Sequence, residues 1–506
     1  MPATTDDATD APQAYRELLE HYRRYSNLNK ASGVLSWDQQ VMMPEGGAPA
    51  RSQQLSTLSG LQHELLTDEA VGDALEALAD ADLSDEQAAV VREIRREYER
   101  SDAVPQELVE EVTATASEAI EVWEGAKADS DFSQFAPTLE KLVELRREIA
   151  AHIDPDREPY AVLFEEYEPY LDLETAERVL TRLREELVPL IEDIGESDVT
   201  LPRAFDGGSY STDAQESLSR DILDRLNYDW ERGRLDTSSH PFTSGSQFDC
   251  RVTTRFLEDD PLSALTATIH EFGHAFYNLG LSQDHYGDPL GESRDLSVHE
   301  SQSRLWENHV GRSQPFWELI GDDARASFDG VDDVDDQTFY EAANVVYDDN
   351  LIRVDADELT YHMHIIVRFE IERGLVNGDL DVEDVPEVWN DKYEQYLGIR
   401  PENDAEGCLQ DIHWSHGNFG YFPTYTLGSV MAAQLYAAAE DELGDLDDDI
   451  RAGEFEALQE WLRENVHHHG SRYTTDELVE VATGESYTAE YFVEYVTEKY
   501  GQLYDL

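Results

Sequence analysis

The chain has 506 residues, of which 40% are hydrophobic, so it can bury a large core in one domain or in two subdomains. Its 37 basic and 111 acidic residues leave a net charge of −74, and this acidic surface would repel a phosphate backbone, which argues against a nucleic-acid partner. The sequence contains no apolar run long enough for a transmembrane helix, so we expect no membrane span.

The acidic residues are spread along the whole chain, and only 5 of the 37 basic residues are lysines. Self-repulsion of such a surface destabilises the folded state in dilute buffer, and salt screens it. We interpret the composition as adaptation to the salty cytoplasm of a halophile. The acidic N-terminal segment 1–20 lacks the basic and then apolar pattern of a secretory signal, so we expect a cytoplasmic protein. Cys250 and Cys408 are too few for a disulfide framework and are expected to be reduced.

Helical periodicity dominates the sequence and begins at residues 11–32. The same pattern predicts helices over residues 85–100, 104–128, 132–153, 172–194 and 488–504. Strand signals are few, and the strongest is the alternation of β-branched residues over 249–257. Residues 205–212 and 237–247 contain the residues typical of loops inside a domain. The sequence therefore predicts a mostly α fold with one small β-sheet.

Residues 260–280 are predicted to form one helix. Asp260 is a favourable N-cap, Pro261 suits the first helical position, and Gly280 suits the position just past the end. On this helix His270 and His274 lie one turn apart on the same face, where their imidazoles can share a zinc ion. Glu271, one residue further round, can reach a water molecule at the metal without being a ligand, as a general base must.

A catalytic zinc needs a third protein ligand. A third histidine six residues after His274 is absent, because position 280 is Gly. Glu300, on a following predicted helix, is the preferred third ligand, and His299 and Glu292 are competing candidates. Glu300 has a second interpretation, because Ser297 and Glu300 also have the spacing of a helix capping box.

Six motifs in chain order resemble the signature set of the M32 family of metallocarboxypeptidases, the thermostable carboxypeptidase type. They are HPF (240–242), DCRVT (249–253), HEFGH (270–274), HESQ (299–302), IRVDAD (352–357) and GCLQDIHW (407–414). Residues 37–58 and 466–495 are also similar to family segments, so the resemblance spans nearly the whole chain.

The resemblance implies one catalytic domain over residues 1–506, with a large helical, gluzincin-like fold, a deep central groove and room for two helical subdomains beside it. It implies a homodimer with one zinc ion per subunit, for which cobalt can substitute. It also implies removal of single C-terminal amino acids with broad specificity from peptides with a free C-terminus. Carried over to this chain, His270, His274 and Glu300 are the metal ligands and Glu271 is the base.

A carboxypeptidase must recognise a free carboxylate, and the planar guanidinium of arginine does so best. Arg353 in the IRVDAD motif is the preferred anchor and Arg251 in the predicted strand is the alternative; each could instead form a structural ion pair. His240 of the HPF motif is a further candidate for substrate binding.

The oxyanion of the reaction needs a hydrogen-bond donor. Residues 411–428 are rich in donors, and we select His413 and Tyr421 from this segment, with Tyr425 as a substrate-binding candidate. Two other functions use the same motifs: a zinc oligopeptidase that cuts internal bonds, and a helical binding protein with a vestigial metal site. The intact Glu271 argues against the vestigial site. The histidines at 467–469 are interpreted as a helix end rather than a second metal site.

Overall fold

The helical periodicity of the sequence is realised as a chain of α-helices in a computed structural model that describes residues 12–347 and 351–506. Within these residues the helices are α1 (Gln13–Val41), α2 (Ala48–Leu66), α3 (Glu69–Ala77), α4 (Asp85–Ala103), α5 (Gln106–Asp129), α6 (Ala136–Ile153), α7 (Pro159–Phe164), α8 (Leu173–Glu196), α9 (Thr212–Arg225), α10 (Pro261–Gly280), α11 (Leu296–Arg304), α12 (Gln314–Ser327), α13 (Asp336–Ala343), α14 (Tyr361–Asn377), α15 (Val385–Leu397), α16 (Pro423–Leu443), α17 (Asp447–Ala452), α18 (Glu456–Asn465), α19 (Thr475–Thr483) and α20 (Glu490–Tyr504). The mostly helical fold is thereby confirmed. In the described residues no helix has the length and apolar character needed to cross a bilayer.

One small sheet interrupts the helices, as predicted, but it is built from three short strands. They are β1 (Gly233–Thr237), β2 (Thr243–Ser246) and β3 (Asp249–Thr254), in the order β1-β3-β2. β1 pairs with β3 in parallel, and β2 pairs with β3 antiparallel. The interpretation of residues 237–247 as a loop was therefore wrong for β2, whose sequence of Thr, Ser, Gly and Ser carries little strand propensity.

In the described residues the core has one large part, a smaller N-terminal part and a minor cluster of Leu108, Leu145 and Ile149. The large cluster of buried side chains extends from Ala119 to Tyr504, and a smaller cluster joins α1, α3 and α4 to Leu290. Cys250 and Cys408 are both buried and unpaired, as the sequence predicted. Residues 1–11, which belong to the segment without a secretory pattern, lie outside the described residues.

The helix predicted over residues 260–280 is α10, and its start has the expected chemistry. The side chain of Asp260 accepts a hydrogen bond from the amide of Ser263 at 3.0 Å, and Pro261 is the first helical residue. The end differs by one residue, because Gly280 is the last residue of the helix rather than the residue beyond it. Gly280 is required by packing, since a Cβ there would lie 2.2 Å from the buried ring of His467.

α10 crosses α11 at very short range, and Gly273 makes this possible. A Cβ at position 273 would lie 2.5 Å from the carbonyl oxygen of Gln302 and 2.6 Å from the Cα of Ser303. α11 then continues as a π-helical segment over Leu305–Gly311, a departure that is often found at functional sites. The backbones of the two helices that carry the candidate ligands are therefore in contact.

We predict that Gly273→Ala lowers the free energy of unfolding, because the new methyl group must push two backbones apart. Overpacking of this kind costs about 1–3 kcal/mol. Gly125→Ala is the matched control, since Gly125 is also helical but a Cβ there meets nothing within 4 Å. Urea unfolding at high salt measures both variants. Equal stability of Gly273→Ala and the parent protein would contradict the close crossing.

Candidate metal centre and active-site cavity

Three candidate ligands converge where α10 crosses α11. The Nε2 atoms of His270 and His274 lie 3.8 Å and 3.4 Å from Oε2 of Glu300. One ligand atom from each residue lies within 4.8 Å of the other two. Ligands that each bind zinc at about 2.0–2.2 Å lie at such separations. The geometry therefore provides two imidazole nitrogens and one carboxylate oxygen around a single point.

The second nitrogen of each imidazole is held by a hydrogen bond. Nδ1 of His270 lies 2.9 Å from Oε2 of Glu307, and Nδ1 of His274 lies 3.0 Å from the carbonyl oxygen of His299. These partners place the proton on Nδ1 and leave Nε2 free to bind a metal. Burial alone would lower the pKa of His270, but Glu300 and Glu307 outweigh it and raise that pKa.

Two arginines balance the buried carboxylates of this cluster. Nε of Arg304 donates to Glu300 at 2.7 Å, and its Nη1 lies 3.1 Å from Glu307, which Arg312 also contacts at 3.1 Å. Burial opposes ionisation of Glu300 and Glu307, yet the field of Arg304 dominates and lowers the pKa of both carboxyl groups. Both carboxylates are therefore ionised at neutral pH.

The competing interpretations of the third ligand do not fit the geometry. No capping box forms at Ser297, because its amide and hydroxyl both donate to Glu168, at 2.6 Å, and Glu300 lies inside α11.

The two competing ligands are both turned to other partners. Glu292 pairs with Lys30 of α1. His299 lies against the Nδ1 side of His274, on the side of that ring away from Glu300. Burial and the neighbouring His274 lower the pKa of His299 to about 3.

Glu307, Arg304 and Arg312 were not predicted from the sequence. Glu307 lies seven residues after Glu300, which is two helical turns, so a search for polar residues on the same face of α11 would have found it. The contact with His270 could not have been predicted, because it depends on the π-helical segment that follows Arg304.

Glu271, the predicted base, is buried beside the small sheet. Its carboxylate and its carbonyl oxygen both accept a hydrogen bond from the hydroxyl of Thr243, at 2.7 Å and 2.9 Å. Thr243 is the first residue of β2, so this short strand fixes the position of the carboxylate. Glu271 and His270 both line one large cavity.

We call this candidate active-site cavity the catalytic cavity, and its volume is about 840 Å³. Its walls include His240, Arg353 and Tyr425 from the predicted site, together with Tyr361 and Arg304. Nε and Nη2 of Arg353 donate to Asp411 at 3.0 Å and 2.8 Å, and Nη1 lies 3.3 Å from the hydroxyl of Tyr361. Arg353 is thus held by one side of its guanidinium, and its other side is directed towards Tyr361.

Arg251, the alternative anchor, lines a different cavity. It pairs with Asp249 at 2.7 Å, and its guanidinium lies 4.2 Å from the ring centroid of Trp37. Side chains alternate along a strand, and the neighbouring Cys250 contacts Asn278 of α10. Arg251 therefore lies on the opposite face of β3 from the helix that carries the histidines.

The aromatic donors lie together beside Arg353. The rings of His413 and Tyr421 stack at 5.6 Å, and the hydroxyl of Tyr425 donates to that of Tyr421 at 3.2 Å. Tyr425 belongs to the wall of the catalytic cavity, and Tyr421 lies behind it. Burial lowers the pKa of His413 to about 4, so its imidazole is neutral at neutral pH.

The family model described as Carboxypeptidase Taq (M32) metallopeptidase matches residues 17–500. The chain belongs to the M32 family. Thermostable carboxypeptidase 1 of Thermus thermophilus is 40% identical over 505 residues, covering 97% of this chain and 99% of that protein. Thermostable carboxypeptidase 1 of Pyrococcus furiosus is 38% identical over 492 residues, which cover 96% of this chain and 98% of that protein. This chain is therefore a metallocarboxypeptidase, an enzyme that hydrolyses peptide bonds.

Solved structures agree with this assignment. The M32 carboxypeptidase from Deinococcus radiodurans superimposes with a TM-score of 0.94 at 39% identity, over 98% of this chain and 100% of that one. A carboxypeptidase structure from Pyrococcus furiosus gives a TM-score of 0.94 at 38% identity, over 97% of this chain and 99% of that one. An M32 metallopeptidase uses a divalent metal, and the donor set of His270, His274 and Glu300 fits such an ion.

We predict that Glu307→Gln weakens metal binding, because a neutral amide accepts the Nδ1 proton of His270 more weakly than a carboxylate does. Loss of such a partner typically costs about 10–100-fold in metal affinity. Competition with a chromophoric chelator, for Zn²⁺ and Co²⁺, measures the change. Glu370→Gln is the control, because Glu370 is also paired with cations, namely Arg184 and Lys392. Equal affinities in the two variants would exclude the role of Glu307.

Proposed function

We propose that this chain is a zinc-dependent carboxypeptidase that releases single amino acids from the free C-terminus of peptides with broad specificity. The observation that carries the proposal is the convergence of His270, His274 and Glu300 beside Glu271, on a cavity that also contains Arg353. This reaction needs a metal centre, a base and a carboxylate anchor, together with a donor to the oxyanion. Cobalt is proposed as an effective substitute for zinc.

Zinc held by His270, His274 and Glu300 would polarise the scissile carbonyl group and lower the pKa of a water molecule. Glu271 would accept a proton from the attacking water and donate it to the nitrogen of the departing amino acid. The hydrogen bond from Thr243 to Oε2 of Glu271 holds this carboxylate in one orientation, which supports its proposed role as the base.

Tyr421 and His413 are proposed to stabilise the oxyanion, with Tyr425 as their contact to substrate. The position of Tyr425 supports this proposal, since its phenol lines the cavity that contains His270 and its hydroxyl lies 3.2 Å from that of Tyr421. Burial raises the pKa of both phenols, so each keeps the proton that it donates.

Arg353 is proposed as the anchor of the substrate carboxylate, and His240 as a further contact. Asp411 occupies only the Nε and Nη2 side of the guanidinium, so Nη1 remains directed towards Tyr361 and the cavity. Arg368 also bonds to Asp411, at 2.6 Å, and gives that carboxylate a second cation. The position of Arg251 in another cavity favours Arg353.

Mass spectrometry of a mixed peptide pool tests the proposed function. The protein should shorten peptides from the C-terminus one residue at a time, spare their amidated counterparts, and lose this activity when a chelator is present. Internal cleavage of amidated peptides would instead establish the oligopeptidase alternative. An absence of all cleavage by metal-loaded protein would contradict both.

We predict that Glu271→Gln lowers kcat about 10²–10⁴-fold, because the amide cannot accept a proton from water. The metal content should stay the same, since Glu271 is not a proposed ligand. Steady-state hydrolysis and metal analysis of the same preparation measure the two quantities. Retention of parental kcat would remove Glu271 from the mechanism, and Glu370→Gln controls for the general effect of the substitution.

We predict that Arg353→Gln raises KM about 10–100-fold for peptides with a free C-terminus, because one hydrogen bond to a charged group is lost. Discrimination against amidated peptides should fall in parallel. Arg373→Gln is the control, because Arg373 is a partly buried, ion-paired arginine of α14. An equal loss on free and amidated peptides would show that Arg353 has a structural role only.

We also propose that the protein is halophilic, on the ground of its net charge of −74. Dialysis from about 1 M KCl, where the Debye length is about 3 Å, into dilute buffer should unfold and inactivate it. Circular dichroism and peptide hydrolysis follow the loss. Sucrose at equal osmotic strength should not protect the protein, because it screens no charge. Full stability in dilute buffer would contradict the proposal.

The remaining proposals rest on the resemblance to the M32 family and on composition. We propose a cytoplasmic homodimer with one zinc ion per subunit, in which residues 1–506 form a single catalytic domain. The family match over residues 17–500 supports the single domain.

A further inference from the structure

A second cavity, with a volume of about 690 Å³, lies between α1 and the strands β2 and β3. Aromatic rings form much of its wall: Trp37 from α1, Phe248 from the turn between the strands, and Tyr286, whose ring lies 5.3 Å from that of Phe248. Phe248 and Val34, which also lines the cavity, are 48% and 46% exposed. The cavity therefore presents apolar surface that the described part of the fold leaves uncovered.

The strand β2 connects this second cavity to the catalytic cavity. His240 and Pro241, just before β2, line the catalytic cavity. Thr243, the first residue of β2, holds Glu271, and the following residues Ser244, Gly245 and Ser246 line the second cavity. Glu271 therefore lies beside the position on β2 at which the lining of the catalytic cavity ends and the lining of the second cavity begins.

Because β2 is the edge strand of the sheet, a bound peptide can follow it from the lining of one cavity to that of the other. Under the proposed function, the C-terminal residue lies in the catalytic cavity near Arg353, and the bond to be cut lies beside Glu271. The preceding residues must leave in another direction, and β2 leads to the second cavity. Thr243 and Ser246 are three residues apart, or about 10 Å at the rise of a strand. A peptide residue two or three positions before the cut bond therefore reaches the second cavity.

We propose that the second cavity is a subsite for an aromatic or large aliphatic side chain, two or three residues before the bond that is cut. This inference rests on the proposed carboxypeptidase function. The cations of the cavity support an uncharged occupant, because each is already neutralised: Arg251 by Asp249, and Lys30 by Glu292. Both cations also lie over aromatic rings, at 4.2 Å and 5.3 Å from the centroids.

The experiment measures kcat/KM for release of leucine from acetylated tetrapeptides that differ at one position. In acetyl-Xaa-Ala-Ala-Leu and acetyl-Ala-Xaa-Ala-Leu, Xaa is the third or the second residue before the cut bond, and is Phe, Leu or Ser. We expect Phe and Leu to exceed Ser about 3–10-fold at one of these positions, as an aromatic contact provides. Phe248→Ala should abolish most of this preference, and Val34→Ser should reduce it.

Acetyl-Ala-Leu, which lacks both positions, should be hydrolysed equally by the parent protein and by Phe248→Ala. Val481→Ser is the control for Val34→Ser, because Val481 is 50% exposed and lies on α19, away from both cavities. Equal rates for Phe, Leu and Ser in the parent protein, or a preference that survives in Phe248→Ala, would overturn the subsite. Failure to release leucine from any peptide would instead contradict the proposed function itself.

Discussion

Buried charge at the crossing of α10 and α11 is the constraint on which the rest of the structure depends. Glu300 and Glu307 are both buried, and both remain ionised because Arg304 lies between them. Isolated charges in a protein interior are costly, and the cost falls only when each charge has a well-placed partner. Hydrogen bonds occupy one side of each imidazole and of the Glu300 carboxylate in this cluster. The Nε2 atoms of His270 and His274 and one oxygen of Glu300 are left directed at a common point.

The close backbone approach at Gly273 follows from the same requirement. Imidazoles on one helix and a carboxylate on another reach a common ion only when the two helix axes are close. The π-helical segment after Arg304 extends this arrangement by bringing Glu307 to the far side of His270. The small sheet completes it, since Thr243 fixes Glu271 and β2 runs from the lining of the catalytic cavity to that of the second cavity. Helix packing, ligand geometry and the path of the substrate are therefore linked through a few residues.

The sequence predicted the local part of this arrangement well. Asp260 and Pro261 define the start of α10 by local chemistry, and the spacing of His270 and His274 fixes their common face whatever the tertiary structure. Glu300 could be proposed from the same kind of pattern, and the resemblance to the M32 family placed it in a motif. Cap residues and helical spacing are encoded over a few neighbouring positions, which explains why one sequence was enough.

The parts that were missed depend on tertiary structure. The strand β2 has a weak sequence signal, and it exists because β3 pairs with it. Arg251 was correctly placed on a strand beside α10, yet alternation along β3 turns it towards Trp37. The role of Glu307 depends on a π-helical segment that periodicity alone does not predict. These contacts join residues distant in sequence, so local patterns could not specify them.

A crystal structure of the zinc-loaded protein, with the metal located by its anomalous scattering, tests the central claim most directly. We expect zinc at about 2.0–2.2 Å from Nε2 of His270, Nε2 of His274 and one oxygen of Glu300, with Nδ1 of His270 still bonded to Glu307. Zinc bound elsewhere, or bound without Glu300, would contradict it.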